Sequence, residues 1–71
     1  MMLKGHKPDL VTYYVRGTIW TYRGDAQALT SGPRVRLLAR SASSAINAYM
    51  EAMRRRYGPC RKDVITVERA L

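Results

Sequence analysis

Thr12-Tyr13-Tyr14-Val15-Arg16-Gly17-Thr18-Ile19-Trp20-Thr21-Tyr22 is the stretch whose alternation decides the fold. Residues two apart on a β-strand share a face. One face gathers Val11, Tyr13, Val15, Gly17 and Ile19, which suits a buried core. The other gathers Tyr14, Arg16, Thr18, Trp20 and Tyr22, aromatic rings interleaved with charge, which suits a contact surface. A first strand is therefore predicted over Leu10–Tyr22. A second run, Arg34-Val35-Arg36-Leu37-Leu38-Ala39-Arg40, alternates in the same way. Val35, Leu37 and Ala39 fall on one side, and Arg34, Arg36, Leu38 and Arg40 on the other. Pairing the two runs leaves one basic, aromatic sheet face open.

Between them, Gly24-Asp25 begins a turn and Ser31-Gly32-Pro33 ends the connection. This predicts a hairpin loop of about ten residues, longer than most hairpins use. Its Ala26-Gln27-Ala28-Leu29 interior is uncharged and points to a protein contact. After the second strand, predicted over Arg34–Ala39, the period changes. Ser41 is a suitable helix N-cap and Gly58-Pro59 a stop. Ala42, Ala45, Ile46, Tyr49, Met53 and Tyr57 fall on one helical stripe, with Asn47, Glu51, Arg54 and Arg55 facing water. Beyond Cys60-Arg61-Lys62, Val64-Ile65-Thr66-Val67-Glu68 reads as a third strand with Ile65 and Val67 inward.

The order β-β-α-β predicts an α+β domain: a three-stranded, mainly antiparallel sheet with one amphipathic helix packed on one face. The third strand pairs beside the first, putting the longest strand in the centre, or beside the second. The domain is expected over residues 10–71, preceded by a basic, poorly ordered arm over 1–9 that contains Lys4, His6 and Lys7. A chain of 71 residues allows one small domain with a thin core.

The formal net charge is +8, and ten of the thirteen cations are Arg. Arginine favours planar, bidentate contact with phosphate or carboxylate. A single cysteine, Cys60, allows no internal disulfide and favours a reducing, cytoplasmic compartment; it is read as a passive loop thiol. The start lacks a signal-peptide core, and no stretch approaches a membrane span. A membrane partner is not expected.

Catalysis is not expected either. The five carboxylates, Asp9, Asp25, Glu51, Asp63 and Glu68, form no general acid/base pair by spacing. There is no phosphate-cradling glycine loop, no nucleophile-base set and no metal-ligand spacing, so neither a cofactor nor a metal is predicted. The expected activity is binding. The sheet face supplies Tyr14, Trp20 and Tyr22 for base stacking, with Arg16, Arg34, Arg36 and Arg40 beside them. The same residue types also serve protein interfaces, including a homodimer. A second candidate is Arg54-Arg55-Arg56 with Arg61 and Lys62, five cations in nine residues. One or two would suffice to complement the helix dipole.

Two resemblances follow from these residues. Val35 to Glu68 runs as a strand ending Ala39-Arg40-Ser41-Ala42-Ser43-Ser44-Ala45, one amphipathic helix, and a strand ending Ile65-Thr66-Val67-Glu68. This resembles small phage-encoded inhibitor proteins of the anti-CRISPR type. The resemblance implies a non-enzymatic inhibitor that docks on a host ribonucleoprotein. Tyr14 to Glu68, with Val15-Arg16-Gly17-Thr18-Ile19, an Ala-containing helix with Tyr49, a basic loop and Ile65-Thr66-Val67-Glu68, resembles the archaeal large-subunit ribosomal protein LX. That resemblance implies an accessory module bound to ribosomal RNA. The chain departs from the ribosomal pattern in having only Arg61 and Lys62 where that family is His-rich and basic, and in its long hairpin connection.

Overall fold

The structure, a computed structural model, describes residues 9–70. The basic arm, with Lys4, His6 and Lys7, falls outside the described residues apart from Asp9. The elements are β1 (Val11–Arg23), β2 (Ala26–Ala39), α1 (Ala42–Tyr57) and β3 (Cys60–Arg69). The sheet order is β2-β1-β3, and both pairings are antiparallel. The α+β architecture is as expected, with the third strand beside the first. The central strand is not the longest, because β2 has 14 residues and β1 has 13.

The long hairpin loop expected over 24–33 is instead strand. Arg23 already pairs with Ala26, so Gly24-Asp25 alone makes the turn. Gly24 has φ 57°, as a tight two-residue hairpin turn requires. Gly32-Pro33 reads as punctuation in the sequence but sits at a β-bulge. Val15 pairs with Val35 and Gly17 with Gly32, so Pro33 and Arg34 together face Arg16. β2 is an edge strand, where proline's missing N–H costs no ladder bond. The extra residue also shifts the phase of alternation, keeping Thr30 and Val35 on the same side of the sheet.

β3 likewise starts earlier than the expected Val64. Thr18 pairs with Val64 but Ile19 with Lys62, leaving Asp63 as an extra residue. That bulge hides the continuity of Cys60–Lys62 with the rest of the strand. Cys60, Arg61 and Lys62 therefore lie in a strand rather than a loop, and Cys60 is half-buried against the core.

The core lies between α1 and one sheet face: Val15, Ile19, Ala39, Ala45, Tyr49, Met50 and Met53. Tyr13, Val35, Leu37, Ile65 and Val67 pack around it, as alternation predicts. Helix capping follows the sequence. Ser41 Oγ accepts from the Ser44 N–H at 3.1 Å, and the Gly58 N–H donates to the Arg54 carbonyl at 2.9 Å. The buried stripe is shifted from the expected one. Ala42 is exposed in the first turn, Ile46 and Tyr57 are half-buried, and Met50 is buried beside Tyr49. At the other end of the sheet, residues 23–29 are all exposed, and the hairpin tip runs beyond Ile19, the last fully buried residue of β1.

Tyr49 joins helix to sheet. It is fully buried, and its hydroxyl donates to the Pro33 carbonyl at 2.8 Å, at the bulge. Gly32 makes the approach possible, and Gly17, which faces it on β1, gives room instead to β3. A Cβ on Gly32 would run into the Tyr49 hydroxyl and come within 3.3 Å of Cζ. A Cβ on Gly17 would run into the Val64 carbonyl and stand 2.8 Å from Ile65 Cα. Burial raises the Tyr49 pKa above that of an ordinary phenol, with Tyr57 adding to the rise and a backbone hydrogen bond from Gly17 opposing it.

Two predictions follow from this joint. Gly32→Ala destabilises the fold by about 1–3 kcal/mol, the usual range for overpacking, measured by urea denaturation. Tyr49→Phe costs about 1 kcal/mol at neutral pH by leaving the Pro33 carbonyl unpaired. The same variant also changes the alkaline limb of stability. In the unfolded chain Tyr49 ionises near its ordinary pKa of about 10, while the folded state holds the proton longer. Native stability therefore falls as pH rises above about 10. The slope of unfolding free energy against pH should be shallower there in Tyr49→Phe.

Candidate nucleic-acid interface

Helix α1 covers one side of the sheet and leaves the other open, and the register sets the open side's chemistry in rows across the strands. Arg36, Tyr14 and Glu68 form one row. Next come the Pro33-Arg34 bulge, Arg16 and Thr66, followed by Ser31, Thr18 and Val64. Leu29, Trp20 and Arg61 form the row after that, and Gln27 and Tyr22 lie toward the tip. Every one of these residues on β1 was expected on this face. Leu29, Ser31, Val64, Thr66 and Glu68 were not named as site residues, although period-two alternation would have found them once both bulges were recognised.

Tyr14, Trp20 and Tyr22 are half-buried, while Arg16, Arg34, Arg36 and Arg61 are exposed. The Arg34 guanidinium carbon lies 4.0 Å from the centroid of the Tyr14 ring. That stacking fixes a flat cation on a flat ring and leaves the guanidinium edge free to donate. The bulge makes the contact: it places Arg34 beside Arg16, one row from Tyr14. Between this group and the Trp20 row lies a shallow depression lined by Arg16, Thr18, Ser31, Val64 and Thr66. Tyr14 and Trp20 are six residues apart on one strand, so about 20 Å separates the two aromatic positions.

Charge is unevenly spread over the face. Arg34 and Arg36 lie on the β2 side with no acid on their own strand. The β3 side mixes Arg61 with Asp63 and Glu68. Asp63 Oδ2 accepts the Thr18 hydroxyl at 2.8 Å, which holds that carboxylate against the sheet. Three large apolar side chains are exposed on the same face: Leu29 at 53%, Leu38 at 64% and Val64 at 62%. Arg40 is exposed one residue past β2.

The second sequence candidate divides. Arg55 reaches Glu51 at 3.7 Å on the exposed side of α1. Arg56 lies 5.5 Å from the centroid of Tyr57, beside Thr21, Tyr22, Ala28 and Thr30 near the hairpin. Arg54 lines a cleft between α1 and β3 with Asn47, Met50, Glu51, Cys60, Arg61 and Lys62. The five cations therefore make no single patch, and Arg61 alone also belongs to the open face.

Among the described residues, no three His, Cys, Asp or Glu side chains gather as metal ligands, and no helix is long and apolar enough to cross a membrane. In comparisons with known proteins, no family model, no curated protein and no solved structure matches the chain.

Proposed function

We propose that the protein is a non-catalytic binder whose open sheet face takes a single-stranded nucleic acid, and that it acts as a small inhibitor of the phage type on a host ribonucleoprotein. The observation that carries this reading is the Arg34–Tyr14 stack at 4.0 Å, on a face the helix leaves uncovered. The guanidinium over Tyr14 and the neighbouring Arg16 and Arg36 supply phosphate contact, and Trp20 and Tyr22 on the same face supply rings for base stacking. Trp20, flanked by Leu29 and Arg61, offers a second ring farther along the same strand. The ribosomal resemblance implies RNA as well.

A second reading draws on Leu29, Leu38 and Val64, which are exposed among the arginines. Apolar area beside charge suits an acidic protein surface within the host complex, as the anti-CRISPR resemblance implies. Nuclease separates the two readings: a complex captured from a bacterial lysate that survives nuclease favours protein contact, whereas one that nuclease abolishes favours nucleic acid.

Trp20 is the only tryptophan, so its fluorescence reports directly on the face. Titration with single-stranded RNA should quench it, and the affinity should fall with salt by about 0.7 log unit per log unit of salt for each phosphate contact. Arg34→Ala and Arg36→Ala should each weaken binding about tenfold, the scale of one charge-assisted hydrogen bond, with unchanged thermal unfolding. Undiminished affinity in both variants would remove the sheet face as the site.

A further inference from the structure

We propose that the α1–β3 cleft is a second phosphate subsite, joined to the sheet face through Arg61, so that one single strand of nucleic acid passes around the β3 edge onto the helix side. This rests on the sheet face being a nucleic-acid surface. Consecutive residues of β3 carry the argument. Arg61 stands opposite Trp20, whose side chain lies on the open face, and Lys62 stands opposite Ile19, whose side chain lies in the core. An edge strand thus presents one cation to each side of the sheet at adjacent positions, with Arg54 added from the helix.

The helix dipole does not account for this cluster. Arg54 follows the rule for a helix C-terminus, but Arg61 and Lys62 come from the strand. Arg55 and Arg56 have other neighbours, Glu51 and Tyr57, whereas Arg54 makes no ion pair among the described residues. Glu51 is the one carboxylate lining the cleft, and it already pairs with Arg55. Arg54 and Lys62 line the cleft together with Arg61 at its β3 rim, and a phosphate held there neutralises this run of exposed cations. Asp63, the nearest acid on β3, is tied to the Thr18 hydroxyl on the opposite side of the sheet. The β3 edge next to the cleft is therefore open to a backbone of negative charge.

The geometry sets a length dependence. A short oligonucleotide occupies the sheet face alone, and a longer one also reaches the cleft. The test compares single-stranded oligouridylates of about four and about sixteen nucleotides, the span of site sizes for sheet-type single-strand binders. Binding is read by Trp20 fluorescence in wild type and in the double variant Arg54→Ala/Lys62→Ala. Both residues are exposed and lie outside the core, so a thermal melt should confirm an intact fold. The expected result is a loss of about tenfold for the long strand only. Its salt slope should fall by about 1.4, at roughly 0.7 for each of two lost contacts. If the double variant binds the long strand as wild type does while Arg34→Ala weakens both lengths, the cleft subsite is overturned and the sheet-face reading stands. If wild type binds neither length, the nucleic-acid reading fails and the subsite fails with it.

Discussion

The close seating of Tyr49 on Gly32 is the constraint on which the rest of the structure depends. A sheet of three strands and a single helix has one interface in which to bury apolar surface. Helix and sheet can come close only where the sheet has no side chain in the way. Gly32 clears that space, Gly17 opposite it lets β3 come close, and the tyrosine hydroxyl ends on the carbonyl of Pro33. The same hydrogen bond satisfies a backbone acceptor at the bulge, where regular pairing lapses. Packing, pairing irregularity and polar satisfaction thus meet at one residue.

The two bulges give the open face its character. A strand that gains one residue reverses its alternation from that point, and without compensation β2 would turn its arginines toward the core. The bulge at Pro33-Arg34 lets β2 keep Val35, Leu37 and Ala39 on the helix side while Arg34 and Arg36 stay outside. The bulge at Asp63 does the same for β3, with Ile65 and Val67 on one side of it and Cys60 on the other. The separation of the two faces depends on this phase control, because a basic face and an apolar face can share three strands only if every strand keeps its register.

Much of this was legible in the residues. Strict alternation in β1 placed each of its side chains on the correct face, and Ser41 and Gly58 marked the helix ends through local capping chemistry. The parts that were not legible share a cause. Gly32-Pro33 and Asp63 look like breaks because local pattern reading cannot see a partner strand, and only the partner shows that an extra residue is a bulge rather than a loop. The hairpin residues Ala26–Ser31 were read as a connection for that reason. Met50 escaped because a helix lying across a twisted sheet buries a wider stripe than one row of i, i+3, i+4 positions. The split of the arginine triplet among three surroundings was likewise invisible, since it depends on where the hairpin and β3 lie around the helix end.

The central place of β1 also bears on how the molecule assembles. Tyr14 meets Arg36 across a turn of two residues, but it meets Glu68 only after the whole of β2 and α1 has been laid down between them. The first pairing closes a short loop and forms quickly, while the second carries the entropic penalty of a distant contact. Until β3 docks, one side of the central strand offers unpaired backbone donors and acceptors to any passing chain. The helix, capped at both ends and anchored through Tyr49, can cover the core face of that half-built sheet in the meantime, but it cannot protect the edge.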